Sequence, residues 1–405
     1  MNYRSVRTGV LLACTLLVLA AFAAFAVPAT AAAQAEWTFA IYMCSDNDLD
    51  EWGALNVEWL MSAPSSDEVN LLVLWDTSTG PAKLLKVSHG ETTELADFAL
   101  NGAEVNMGDP ATLVALVDYI DTAYPADNVA LTLWDHGDDF TGICYDYDTG
   151  TDVELDKLSH QEIGAALAGR HVDIIGGDGC GIGAVETAYE YVCQGMTAEW
   201  FVASETYVPL DGFPYDDIAA DLVAEPGMTP EELSKDMVER YAEYYQSGWL
   251  TELSAIKLSA LPAMADELWD VTAILMGDMR AYRGLVASAK AKATMGWSQY
   301  GWEAFVDLPM VFKVVHRRAP GGSALETETA ELLDAIDEAV PYVGMGTPGA
   351  VWDFGGVSVF FPGAAGSYAN NAFWRGELYP TMQFAEDGWL EFLQSYFGGS
   401  KRKSR

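Results

Sequence analysis

Two short stretches end in residues able to do covalent chemistry. "LTLWDHG" (131–137) is an apolar run that closes on Asp135-His136-Gly137. "DIIGGDGC" (173–180) is a second, closing on Asp178-Gly179-Cys180, with Gly181 behind it. Each run suits a central parallel strand. In an open α/β sheet, ligands bind beyond the carboxyl ends of the strands, so two neighbouring strands of this kind would present His136 and Cys180 at one edge. That pair suits nucleophilic thiol chemistry. An imidazole can take the thiol proton and later protonate a leaving amine. A helix start after Cys180 would favour the thiolate. The adjacent glycines admit a substrate backbone and free N–H groups for an oxyanion. Taken singly, His136 reads as a strand-end histidine and Cys180 as a small buried residue. Both at matching strand ends, each with glycine next, is the stronger pattern.

The elements that must position them alternate along the chain. "WTFAIYM" (37–43), "VNLLVLWD" (69–76), "NVALTLWDHG", "HVDIIGGDGC" and "WFVASE" (200–205) read as buried strands. "LLKVSHG" returns as a hairpin after "TSTGPAK". "DNDLDEWGALNVEWL" (46–60) puts Leu49, Trp52, Leu55, Trp59 and Leu60 on one helical stripe. Asp109-Pro110 opens a helix running to about Ala123, "GAVETAYEYV" forms another, and Thr229 with Glu232 makes a capping box. Strand–helix alternation predicts a mainly parallel sheet flanked by helices. After residue 250 the pattern is more helical, with one late strand, "GGVSVFFP" (355–362).

These motifs resemble the clostripain family of cysteine peptidases, in the clan of caspase-like folds. "LTLWDHG" and "DIIGGDGC" match its paired strand ends, with Gly179 where the family usually has Ala. "WTFAIYMCSDNDLD" resembles its opening strand and acidic turn, and "ASETYVPLDGFPYDDI" the segment after the fifth strand. "GGVSVFFPG" and the spacing of Tyr368, Phe373, Trp389 and Phe392-Leu393 resemble its C-terminal end. The likeness covers roughly residues 36 to 397. It implies an α/β, caspase-like fold, with a catalytic domain over 36–250 and a helical C-terminal extension over 251–397 packed on it. It also implies Cys180 as nucleophile, His136 as general acid/base, and oxyanion N–H groups from Gly137 and Cys180. Asp178 would line the primary pocket, where a buried carboxylate suits a substrate Arg or Lys. Glu205 and Asp211 are further candidates for that pocket. Cleavage after a non-basic residue, or a non-catalytic binding role on the same fold, are the alternatives.

The chain has 405 residues, 60 acidic against 21 basic, with a formal net charge of −39. That excess disfavours nucleic acid and anionic membrane surfaces as partners. It favours cationic peptides or calcium, and its even spread reads equally as adaptation to salt. "DYDTGTD" (146–152) spaces oxygens like a calcium loop but lacks the closing glutamate of the twelve-residue pattern. The chemistry itself needs no metal or other cofactor; the resemblance is compatible with Ca2+ as an accessory ion. Arg4 and Arg7, an apolar run from Val10 to Val27 and "PATAAAQAEW" describe a secretory signal over 1–35, hence a secreted or extracytoplasmic protein. Uncleaved, that run would be the only membrane anchor. The tail after 397, "GGSKRKSR", reads as disordered. Cys44 and Cys193 read as core; His89, His160, His171 and His316 as structural or surface. The clostripain-like habit of cleavage between histidine and cysteine meets no Lys or Arg from Gly137 to Asp156, and Lys157 and Arg170 flank ordered elements. One uncut mature chain is therefore expected.

Overall fold

The computed structural model describes residues 34–151, 153, 155–248, 250–294, 304–347, 354–363 and 378–398. The signal up to residue 33, Asp152, Tyr368, Phe373 and the tail from residue 399 lie outside the described residues.

Thirteen strands follow in chain order among those residues: β1 (Ala35–Ser45), β2 (Val69–Thr77), β3 (Gly80–Ser88), β4 (Glu91–Glu94), β5 (Ala126–Trp134), β6 (Ile143–Asp146), β7 (Asp156–Leu158), β8 (Ile174–Asp178), β9 (Trp200–Ala203), β10 (Glu252–Lys257), β11 (Phe305–Asp307), β12 (Tyr342–Met345) and β13 (Ser358–Phe360). Nine of them form one sheet in the order β12-β10-β9-β8-β5-β1-β2-β3-β4. Its centre, β2-β1-β5-β8-β9, is parallel, and the flanking pairs β2-β3, β3-β4, β9-β10 and β10-β12 are antiparallel. The sheet is thus mixed, with a parallel core. The expected hairpin is β2-β3.

Alternation along β1 shows how the sheet is buried on both faces. Trp37, Phe39, Ile41 and Met43 enter one core, with α1 (Asp50–Ser62), α5 (Tyr215–Ala224) and α6 (Pro230–Tyr244). Ala40, Tyr42 and Cys44 enter the other, with α2 (Pro110–Ala123), α3 (His160–Leu167), α4 (Val185–Cys193) and the later helices. Those are α7 (Leu261–Gly277), α8 (Met279–Ala293), α9 (Leu308–Arg318), α10 (Ala324–Ala339) and α11 (Leu390–Phe397). The expected caps form. Asp109 accepts from the Ala111 N–H before Pro110, and Thr229 and Glu232 make their reciprocal box. Ser159 and Glu162 make a second box at α3 that the sequence reading passed over.

Several expectations change. The boundary drawn at residue 250 falls beside β10, which with β12 completes the sheet, and the described residues from Ala35 on form one compact unit. The late strand shrinks to β13, which pairs with β11 outside the main sheet. The α1 stripe is rotated. Gly53, Asn56, Val57 and Leu60 are buried, while Trp52, Leu55 and Trp59 are half-buried, because residues 46–49 form a turn that delays the helix start. Cys193 is exposed at the end of α4; Cys44 is core as expected. His160 is structural: its ring lies between the Tyr191 hydroxyl (2.7 Å) and the Asp139 carbonyl (3.0 Å), and burial lowers it to about 3. Among the described residues no helix is long and apolar enough to cross a membrane.

Candidate active site

Register does the first part of the assembly. β5 and β8 run parallel with Trp134 opposite Asp178, and the Asp135 N–H donates to the Asp178 carbonyl at 3.2 Å. Two residues further on, His136 and Cys180 both line a cavity of about 580 Å3. Asp178 and Trp134 line it too, and Tyr207–Leu210 with Gly212 form another wall.

Glycine is required at the junction. A Cβ on Gly137 would lie 2.5 Å from the Cys180 carbonyl oxygen and 2.7 Å from its nitrogen. The backbones carrying the two expected oxyanion donors are therefore in direct contact. Gly179 is nearly as tight: a Cβ there would sit 2.9 Å from the Asp135 carbonyl oxygen and from Ile143 Cδ1. The departure from Ala at this position thus matches a closer approach of the two strand ends.

His136 is partly exposed, and its Nε2 meets Asp48 Oδ1 at 3.0 Å. This hydrogen bond holds the Asp48 carboxyl below its usual value. Behind the histidine, Asp135 is buried and accepts from Asn47 Nδ2 (2.8 Å) and from the Tyr145 N–H. Burial raises its carboxyl well above the ordinary value, against those bonds. Asn47 also donates to the carbonyls of Cys44 (3.1 Å) and Tyr145 (2.9 Å), so the end of β1 clamps the histidine loop.

The Cys180 thiol donates to the Val208 carbonyl at 3.6 Å. Burial pushes it up to about 12, opposed by that bond and reinforced by Asp178 and Asp135. The expected help from a helix start is not met. α4 begins at Val185, and a helix terminus acts over about its first turn. The resting group is a neutral thiol that needs a base.

Asp178 is buried against the cavity. Its Oδ2 accepts from the Phe213 N–H (3.0 Å) and the Tyr215 hydroxyl (2.7 Å). Burial raises it to about 6, and these two donors hold the rise in check. Gly212 has φ +69, and a Cβ there would press on Oδ2 at 2.6 Å.

Glu205 and Asp211 do not line the cavity, which corrects their assignment as pocket acids. Glu205 lies just past β9, buried beside Glu252 and Asp307, where its Oε1 accepts from the Gly356 N–H at 2.9 Å. Asp211 turns away between two lining residues; its Oδ2 accepts from the Tyr244 hydroxyl at 2.9 Å and its carbonyl from Asn56 Nδ2 at 3.0 Å. The described residues of the stretch 137–156, which holds no Lys or Arg, are largely built in. Asp139, Phe140, Ile143, Cys144 and Asp146 are buried, and β6 pairs with β7. Tyr147, Val153 and Leu155 are its exposed apolar tip, and Tyr147 and Leu155 line the cavity with Leu210. Sequence reading missed Asp48, Asn47 and Tyr215 as partners. The acidic turn was a visible signal for the first two, but no spacing pointed to their contacts.

The sequence model of the clostripain family matches residues 41–321. Clostripain of Hathewaya histolytica is 29% identical over 230 residues, 48% of this chain and 44% of that protein. The chain thus matches less than half the length of that curated relative. An inactive zymogen C11 protease from Parabacteroides distasonis superposes with a TM-score of 0.63 at 20% identity, over 87% of this chain and 98% of that one. A secreted C11 cysteine protease from Bacteroides thetaiotaomicron, in complex with an irreversible peptide inhibitor, gives 0.63 at 19% over the same shares. These likenesses show the fold.

Proposed function

The chain belongs to the clostripain family, and on that premise we propose that it is an exported cysteine endopeptidase cutting after arginine or lysine. The observation that supports this reading is the β5–β8 register, with His136, Cys180 and Asp178 all lining one cavity at the ends of those strands. With its thiol pushed up to about 12, Cys180 attacks only as His136 removes its proton. The thiolate adds to the substrate carbonyl. The N–H groups of Gly137 and Cys180 receive the oxyanion. His136, now protonated, gives its proton to the leaving amine, and water then hydrolyses the thioester with His136 as base. Asp178 accepts the cationic side chain of the residue on the acyl side, bidentately if it is arginine. The apolar walls exclude water and strengthen that pair. No step uses a metal.

Export rests on the residue pattern of the first 35 positions; a mature mass beginning near Ala35 checks it. The deciding experiment for the activity is hydrolysis of arginyl, lysyl, aspartyl and uncharged reporters by the wild type and by Cys180→Ala. Thiol-dependent cleavage confined to basic reporters and lost in the variant is the expected result. Equal cleavage of uncharged reporters would remove the basic specificity; no cleavage of any would leave a binding protein.

A further inference from the structure

Large apolar side chains are seldom left open to water in this chain. Among the described residues six are exposed: Tyr147, Val153, Leu155, Leu210, Tyr244 and Val343. Three of the six, Tyr147, Leu155 and Leu210, line the cavity that His136, Cys180 and Asp178 also line. A fourth, Val153, lies on the same connection between β6 and β7 as Tyr147 and Leu155. The Tyr147 N–H donates to the Asp46 carbonyl at 3.1 Å, which ties the start of that connection to the turn after β1. Leu210 comes from a separate segment, two residues before Gly212, whose backbone lies against the Asp178 carboxylate. Leu49, buried on the turn after β1, lines the same cavity. Apolar area left in water forgoes about 25 cal/mol per Å2 of stabilisation. When it gathers at one cavity instead of scattering singly, it marks a place for an apolar ligand group.

We infer that Tyr147, Leu155 and Leu210 form a second substrate subsite, which takes a large apolar side chain directly beside the basic residue. The inference rests on the peptidase reading for the identity of its ligand, a peptide. The volume fits. At about 580 Å3 the cavity falls in the range of about 300–1,000 Å3 that holds a whole small ligand, so it has room beside a single side chain on Asp178. The chemistry of the two parts differs. Asp178 offers a buried carboxylate to a cation. Tyr147, Leu155 and Leu210 offer ring and methyl surface, and a charged neighbour placed on them would lose water and gain no partner. A leucine or phenylalanine there removes apolar area from water on both sides of the contact. A second copy of this chain would have to reach into the cavity that Cys180 lines, so the peptide substrate is the occupant that fits. The substrate class is therefore narrower than a basic residue alone: arginine or lysine adjoining a large apolar residue.

The test uses six peptides of one length. In the first, arginine stands between two alanines; in the second leucine replaces the alanine before it, and in the third the alanine after it. The other three carry glutamine in place of arginine. Binding to the full-length Cys180→Ala protein is read by fluorescence polarisation, and kcat/KM is measured with the wild type on the same set. Leucine at one flank should tighten binding about tenfold or more over alanine, in the arginine and glutamine series alike. In the Cys180→Ala background, Tyr147→Ser with Leu155→Ser, and separately Leu210→Ser, should each cut that ratio at least about threefold. All three positions are exposed, so folding should persist, and melting verifies it. The leucine-to-alanine ratio of the unsubstituted cavity decides the matter even where a variant fails to fold. Equal binding of leucine and alanine at both flanks, or a ratio unchanged in the folded variants, would overturn the inference. So would self-association that Leu155→Ser abolishes while the ratio stays. The two readings fail separately. Arginine no better than glutamine would remove the basic specificity, and no hydrolysis by the wild type would remove the peptidase; in either case the leucine ratio still decides the subsite.

Discussion

Above β5 and β8, Asp178 is buried with two donors on one oxygen; above β1 and β2, Asp76 is buried with none. Both stand at the carboxyl ends of parallel strands in one sheet. Burial raises Asp178 only to about 6, because the Phe213 N–H and Tyr215 hydroxyl favour its charged form. It raises Asp76 to about 9, with Asp146, Glu104 and Asp46 adding to the rise. The difference teaches that burial alone does not assign a carboxylate. A charge with donors can wait, ionised, for a substrate cation. A carboxyl without donors keeps its proton at neutral pH.

The comparison breaks most completely if the β5–β8 edge is not where chemistry occurs. Cys180→Ala and His136→Ala should each lower peptide hydrolysis on the order of a thousandfold or more, with far-UV dichroism and melting unchanged. Wild-type turnover in either variant would move the reactive edge elsewhere.

Next in size is the donor-supported acid. Asp178→Asn keeps an oxygen to accept from Phe213 and Tyr215 but loses the charge. Removing one partner of a buried ion pair costs about 3–5 kcal/mol, so kcat/KM on arginyl reporters should fall at least about a hundredfold. Uncharged reporters should change little; equal losses on both would mean that Asp178 supports Cys180 instead. The pH dependence has a defined sign. Only ionised Asp178 pairs with the substrate cation, so arginyl kcat/KM should fall as pH drops through about 6, and Asp178→Asn should lack that step. The value is raised on folding, so ionising Asp178 costs stability above it; the Asn variant should not melt lower at pH 8 on electrostatic grounds.

Smaller is the effect of Asp48, a positioning residue that touches His136 from an exposed site. An exposed pair contributes up to about 1 kcal/mol, so Asp48→Asn should lower kcat about two- to fivefold with KM nearly unchanged. A loss as large as that of His136→Ala would make Asp48 part of the chemistry.

The smallest expected effect is none at all. Lys157 lies on β7; its Nζ donates to Thr141 Oγ1 (2.7 Å) and Tyr145 Oη (3.0 Å) and pairs with Asp138 at 3.5 Å. Arg170 pairs with Asp118 at 2.8 Å. Neither offers an extended, free segment to an active site, so the intact mass of active protein should match the Cys180→Ala form. Two fragments split at either residue in the active form alone would show an activation cut and a mobile β6–β7 hairpin.

The strand ends, the helix caps at Asp109 and Thr229, and the pairing of His136 with Cys180 were legible in the sequence. Each is a local matter. A period of two, an apolar run stopped by glycine, or a Thr three residues before a Glu is written within one segment. Asp178 was legible for the same reason, two residues before Cys180. Glu205 and Asp211 misled, because proximity in sequence to a cavity wall does not say which way a side chain points.

The order of residues by itself determined which segments become strands and helices, and placed His136, Cys180 and Asp178 at the ends of two of them. Tertiary structure alone decided what those groups meet. Asp48 reaches His136 across 88 residues, and Tyr215 reaches Asp178 across 37. Asp46, Asp76 and Asp146 come together from three strands. Such contacts arise when separate strands are brought into one sheet by burial of its two faces. The free energy that closes them is spread over the whole core, so no local spacing records it.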